Sequence, residues 1–217
     1  MRQTTDVSRR ALVKGALALG ASAVIVGGVT APRRALASGE SPAVDGANAD
    51  VQYGFLVYAS KCVNCEKCVA ACRQGNGLSD DTPDRRRIMV VSNDKGGELS
   101  VSTSCMHCAQ PSCMRVCPAG AISKGSHGIV SVDTDRCIGC KYCYQACPYD
   151  VPRYNTVAMD KCDCCLGAGV APGETPYCVS ACIFNALKYG PLEELKGQEP
   201  DAVVIASIND PSCLVRG

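Results

Sequence analysis

The side chains best able to do chemistry in this 217-residue chain are its eighteen cysteines. Sixteen of them fall into four groups of four. Cys62, Cys65, Cys68 and Cys72 are separated by two, two and three residues. Cys137, Cys140, Cys143 and Cys147 repeat that rhythm and are followed by Pro148. Cys105, Cys108, Cys113 and Cys117 have gaps of two, four and three, then Pro118. Cys162, Cys165, Cys178 and Cys182 are looser, with a long gap in the middle. Cys164 and Cys213 stand outside the pattern. A thiolate is both a redox group and a soft metal ligand. Three chemistries therefore compete: structural disulfides, structural zinc and iron–sulfur clusters.

Spacing decides between them. Cysteines two residues apart suit metal or redox sites better than structural bridges, and here the tight gap recurs. Zinc prefers two C-x-x-C pairs separated by a longer stretch. The run C-x2-C-x2-C-x3-C-P is that of bacterial iron–sulfur proteins, in which the fourth cysteine serves the other cluster. Residues 137–148 fit it at every position. Three thiolates within seven residues can wrap one cubane while the loop turns its N–H groups toward the sulfurs. The fourth cysteine lies just beyond, at the start of a short helical turn, and points away from that cubane. Pro148 ends that turn, because it lacks an N–H and restrains the residue before it. Two facing motifs then exchange their fourth ligands, and two such pairs make a wire.

Elements must hold these loops, and the chain has little to build them from. Cysteine is about 8% of the residues, and there is no Trp, only two Phe and eight Tyr. Such a chain needs covalent or metallic staples, and bound clusters supply folding energy. "VQYGFLVYAS" alternates as a strand before the first motif. "HGIVSVDTDRC" reads as a strand feeding the third, and "AISKGSHG" as the turn before it. Motifs two and three thus form one unit, with motifs one and four flanking it as a second. Residues 73–101, with "RIMVVS", are a loop and strand inserted between motifs. The expected fold is α+β: two bacterial-ferredoxin-like units in one compact domain over 51–195, with 38–50 a linker and 196–217 a C-terminal tail.

The first 37 residues read as a leader. A basic start precedes 18 uncharged residues from Gly15 to Pro32, and Ala35-Leu36-Ala37 forms a small-x-small cleavage site. Ser8-Arg9-Arg10-Ala11-Leu12-Val13-Lys14 resembles a twin-arginine export signal. A retained anchor is the alternative, although the stretch is barely long enough to span a bilayer. Residues 1–37 carry six basic side chains and one acidic, so a whole-chain charge of +1 leaves −4 on the remainder. That excludes a basic nucleic-acid binder.

The stretches "YGFLVYASKCVNCEKCVAACR", "SCMHCAQPSCMRVCPAGAI", "DRCIGCKYCYQACPYDVPRYN" and "KCDCCLGAGVAPGETPYCVSAC" resemble a known family. It comprises the four-cluster ferredoxin subunits of complex iron–sulfur molybdoenzymes, such as dimethyl sulfoxide, tetrathionate and polysulfide reductases. The iron–sulfur protein of the formate-dependent nitrite reductase system is related. The resemblance implies four [4Fe–4S] clusters, with motif one paired to four and motif two to three. The implied ligand sets are Cys62, Cys65, Cys68, Cys182; Cys105, Cys108, Cys113, Cys147; Cys137, Cys140, Cys143, Cys117; and Cys162, Cys165, Cys178, Cys72. It implies electron transfer between a multi-span quinone-reactive membrane subunit and a molybdopterin catalytic subunit, or a multi-haem cytochrome instead. The location implied by the leader is periplasmic, peripheral on the cytoplasmic membrane. Ile183 replaces the proline usual after the fourth cysteine. Cys140 is present where some relatives lack it and hold a three-iron cluster.

His107 inside C-M-H-C reads as a bystander, because all four cysteines of that motif are present. His127 reads as a solvated turn residue. Lys61, Lys67, Arg136, Lys141 and Lys161 flank the loops, as surface charge or as partial neutralisation of anionic clusters. Arg85-Arg86-Arg87 reads as an exposed run. "GAGVAPG" lacks the spacing of a dinucleotide fingerprint. No nucleophile–base set or phosphate loop is present in the sequence, so a carrier is expected rather than an enzyme in its own right.

Overall fold

The computed structural model describes residues 51–92, 96–154 and 158–217, all within the unit Gly39–Gly217. The expected leader (1–37) and linker (38–50) lie outside the described residues. The elements are β1 (Tyr53–Tyr58), α1 (Lys67–Gly75), β2 (Arg87–Ser92), β3 (Glu98–Thr103), α2 (Ser112–Arg115), β4 (Ile122–Lys124), β5 (Val130–Val132) and α3 (Tyr142–Ala146). They continue with β6 (Arg153–Tyr154), β7 (Met159–Asp160), α4 (Tyr177–Ser180), β8 (Leu187–Pro191), α5 (Leu192–Gln198), β9 (Val203–Val204) and β10 (Cys213–Arg216). The fold is α+β, as the sequence implies. α1 to α4 are all shorter than an isolated helix needs to persist in water, so their stability comes from what they pack on and ligate.

β1 occupies the middle of a four-stranded sheet ordered β8-β1-β10-β9. It runs antiparallel to β8 and parallel to β10, with Phe55 opposite Cys213 and Tyr58 opposite Arg216. Residues 196–217 are therefore not a tail, and the domain does not end at 195. β10 fills the second edge of β1, where unpaired backbone groups would otherwise be left, and it buries Leu214 and Cys213. Four residues with no clear period gave no sequence signal for it. At Gly54 a Cβ would run into the carbonyl of Ser212, so the β1–β10 approach requires glycine.

Strand alternation sorts the core. Phe55 and Val57 face the cysteine side with Leu187 and Cys213, whereas Leu56 and Tyr58 face the other side with Leu195 of α5. The insert is a hairpin in which β2 pairs with β3 from Arg87–Thr103 to Ser92–Glu98. β4–β5 and β6–β7 are two further two-stranded hairpins, over a small cluster of Ile122, Val130, Cys143 and Met159. α1 packs on α4 and α2 on α3. Gly75 makes the first contact possible, since a Cβ there would overlap the Tyr177 ring.

Candidate metal centres

Each motif turns by the same local device. The residue before the second cysteine is left-handed in all four: Asn64 (φ 53°), His107 (41°), Gly139 (67°) and Cys164 (56°). Asn and Gly tolerate this region most easily. Cys164 thus occupies a turn position and leaves Cys165 in the register of a second ligand. A second device follows the fourth cysteine. Gly120, Asp150 and Asn185, each three residues on, are left-handed. Their N–H groups donate to the carbonyls of Cys117, Cys147 and Cys182 at 3.2, 3.4 and 3.0 Å. The chain makes this turn after Cys182 even though Ile183 replaces proline. The next N–H then aims at sulfur: Ala121 N donates to Cys117 Sγ at 3.3 Å and Ala186 N to Cys182 Sγ at 3.2 Å.

The sixteen expected ligands come together in fours. Burial raises the Cys62 thiol, which also lies in the field of Cys68, Cys182 and Cys65. Burial raises Cys72 above the usual thiol range, helped by Cys162, Cys178 and Cys165. Cys105, Cys108, Cys113 and Cys147 line one hollow. There burial, with the neighbouring sulfurs, pushes Cys108 and Cys113 up to about 12. Cys117, Cys137, Cys140 and Cys143 line another hollow. Sulfurs crowded in fours at low dielectric disfavour one another's charge, and a polycationic group relieves that, so the donor sets fit iron–sulfur clusters. All eighteen thiols are free, and no disulfide competes for them.

Shared helices link these quartets. α1 carries Cys68 and Cys72, which belong to different quartets, and α4 carries Cys178 one turn before Cys182. Cys113 on α2 and Cys117 just beyond it link the other two. The two units meet where Cys105 lies in the field of Cys162. The quartets therefore run in the order of motifs one, four, two, three. Cys65 and Cys140 are the exposed thiols, one in each end quartet, whereas Cys72, Cys162, Cys165 and Cys178 are all buried. Large apolar side chains stand in solvent beside each end: Val63, Ile183 and Phe184 at one, Ile138, Tyr142 and Tyr144 at the other.

Several residues around the sulfurs escaped the sequence reading. Asn76 donates from Nδ2 toward Cys165 Sγ (3.5 Å) and Cys72 Sγ (3.8 Å). The Tyr154 hydroxyl lies 3.0 Å from Cys143 Sγ. Arg86 is buried, contrary to the exposed run expected, while Arg85 pairs with Asp160 and Asp163. His107 is more than a bystander. Its Nδ1 accepts from Val130 N–H at 2.9 Å, which leaves the Nε2 proton to face Cys164 Sγ at 3.3 Å. Those two side chains and Cys162 lie close enough together to share an ion, so the unit junction is a buried polar contact. His127 packs edge-on against Tyr53 rather than lying free in solvent. Of the flanking cations, only Lys161 is buried. Cysteine spacing carries no information about these partners, which arrive from elsewhere in the chain.

Short strands and helices around thiols gathered in fours define an iron–sulfur electron carrier of ferredoxin-like dicluster architecture. Residues 98–192 match the family described as a 4Fe-4S dicluster domain. The sequence is 39% identical over 169 residues to the B subunit of anaerobic dimethyl sulfoxide reductase of Escherichia coli, covering 72% of this protein and 82% of that one. It is 40% identical over 149 residues to the thiosulfate reductase electron transfer subunit of Salmonella typhi, covering 66% and 78%. It is 33% identical over 185 residues to the formate dehydrogenase-O iron-sulfur subunit of Escherichia coli, covering 76% and 61%. This protein belongs to that family of [4Fe–4S] electron-transfer subunits. It is the electron-transfer subunit of an oxidoreductase complex. No helix among the described residues is long and apolar enough to cross a membrane.

Proposed function

We propose that this protein relays electrons between a quinone-reactive membrane subunit and a molybdopterin catalytic subunit. The four quartets set out above would hold four [4Fe–4S] clusters, which supply one-electron carriers when bound. The order of the quartets carries this reading. A row of quartets with an exposed thiol and exposed apolar side chains at each end, and no exposed thiol between, suits a carrier gripped by a different partner at either end. Cys65 with Val63, Ile183 and Phe184 would face one partner, and Cys140 with Ile138, Tyr142 and Tyr144 the other. Backbone N–H groups such as those of Ala121 and Ala186 donate to Cys117 and Cys182 Sγ and would hold sulfur charge in place. Export by the twin-arginine route, read from Arg9 and Arg10, would place the folded, loaded protein outside the cytoplasm.

Anaerobic purification of the tagged protein from solubilised membranes tests this. About sixteen irons and as many sulfides per molecule are expected, with a molybdopterin protein and a multi-span protein found by mass spectrometry. Stoichiometric zinc with little sulfide would overturn the cluster reading. Recovery of a multi-haem cytochrome in place of the molybdopterin protein would replace the catalytic partner. Normal export after both arginines become lysine would remove the proposed route.

A further inference from the structure

Arg86 is the largest side chain buried completely among the described residues. Its neighbours Arg85 and Arg87 each pair with an aspartate, whereas no carboxylate pairs with Arg86 among the described residues. Nη1 donates to Ser102 Oγ at 3.0 Å and Nη2 to Ser104 Oγ at 2.9 Å. The guanidinium carbon lies 4.7 Å from the Phe55 ring centroid. Nε has no partner. Two serines and a ring face satisfy hydrogen bonds but cannot balance a charge. A buried guanidinium without a counter-ion is costly enough that folds rarely keep one.

The missing negative charge is sulfur. Ser102 Oγ accepts from Arg86 and lies 3.4 Å from Cys68 Sγ, so the hydroxyl can pass the polarisation to that thiolate. Burial by itself would lower the affinity of Arg86 for its proton, yet the field of Cys178, Cys162, Cys68 and Cys72 raises it above the ordinary range. Cys68 belongs to the quartet of motif one, and the other three belong to the quartet of motif four. Arg86 therefore stands at the junction of two quartets. The next junction has its own cation. Lys161, also buried, donates to the carbonyls of Val130 and Cys162 and acts on Cys105 and Cys113.

We infer that Arg86 is the shared counter-charge of the first two quartets, and that it sets the reduction potentials of the clusters they hold. The inference rests on the ligand assignment above. Reduction adds one electron, and so one negative charge, to a cluster. A fixed cation nearby favours that state without gaining or losing a proton. Arg86 touches no reacting atom and acts through its field, with Ser102 as relay.

The test is redox titration of the anaerobically purified full-length protein, followed by electron paramagnetic resonance, with iron and sulfide assayed on every sample. Arg86→Gln should keep its iron, and two potentials should fall by at least tenfold in the one-electron equilibrium, about 59 mV. The other two, of motifs two and three, should stay. Arg86→Lys should restore them, and Ser104→Ala, which removes a hydrogen bond but no charge, should leave all four unchanged. Unchanged potentials in iron-replete Arg86→Gln would overturn the inference, as would an equal fall of all four. So would a lysine variant that behaves like glutamine, or loss of iron from both variants, which would assign Arg86 to assembly. Should Arg86→Gln alone lose iron, parental potentials in loaded Arg86→Lys would support the inference. A parent protein without iron would instead defeat the ligand assignment, before any variant is compared.

Discussion

The unit built from motifs one and four sets its inner thiols beneath a four-stranded sheet, whereas the unit from motifs two and three leans on two-stranded hairpins of two or three residues per strand. The thiol geometry is nonetheless alike, with left-handed turns before the second cysteine in both. The surroundings are not. In the first unit the inner quartet is wholly buried and has Asn76 and Arg86 about it; in the second only Cys105 of the inner quartet is buried. Cages of the same shape can thus be held by a real hydrophobic core or almost by ligation alone. The hairpin unit buries only the small cluster of Ile122, Val130, Cys143 and Met159, so bound metal would contribute a larger share of its order. The lesson is that ligand geometry is local, while burial and charge around it are properties of the whole fold.

The largest expected effect breaks a quartet. Cys165→Ser should lose about four of about sixteen irons per molecule, while Cys164→Ser should keep all of them; iron and sulfide assays check both. The reverse outcome would make Cys164 the ligand and its turn position incidental. The next sharpens the contrast in packing. Gly75→Ala drives a methyl into Tyr177 and should cost about 1–3 kcal/mol, seen as a lower melting temperature, with iron lost first from the unit of motifs one and four. No glycine contact of that kind joins α2 to α3 among the described residues, so that unit should be less sensitive to helix packing and more to chelators.

A smaller effect compares donors to sulfur. Asn76→Ala removes an amide that reaches two thiols of the inner quartet, and Tyr154→Phe removes one hydroxyl at an end quartet. A hydrogen bond to a charged group is worth about 1.5–3 kcal/mol, so each change should lower a potential by at most about 65–130 mV. The asparagine variant should shift more, and equal shifts would argue that burial is irrelevant. The smallest effect is a null result at Cys213. Burial, only partly offset by Arg86, pushes this thiol up to about 12. The thiolate reacts, so iodoacetamide at pH 8 should leave Cys213 unmodified in the folded protein and label it once unfolded, as read by mass spectrometry. Since its folded value lies above the ordinary 9.0, its contribution to stability is complete below pH 9 and is lost as pH rises toward 12.

By itself the sequence determined the cysteine fours, the strand before Cys62 and the hairpin between motifs two and three. All of these follow from spacings of a few residues, where backbone geometry leaves little choice. The helical turn expected to start at each fourth cysteine instead precedes Cys117, Cys147 and Cys182. The family resemblance suggested which motifs face each other, and helix pairs α1–α4 and α2–α3 give the same partners. Only the tertiary structure decided the rest. Residues 213–216 look like a frayed end until β1 offers them an open edge, because strand pairing depends on a partner some 160 residues away. Arg86 looks like surface charge between two other arginines until β2 and β3 pair and turn it inward onto Ser102. His107 looks idle until Cys164 arrives from the far side of the fold. Each depends on long-range proximity, and the energy of a buried charge or an open strand edge has no local signature.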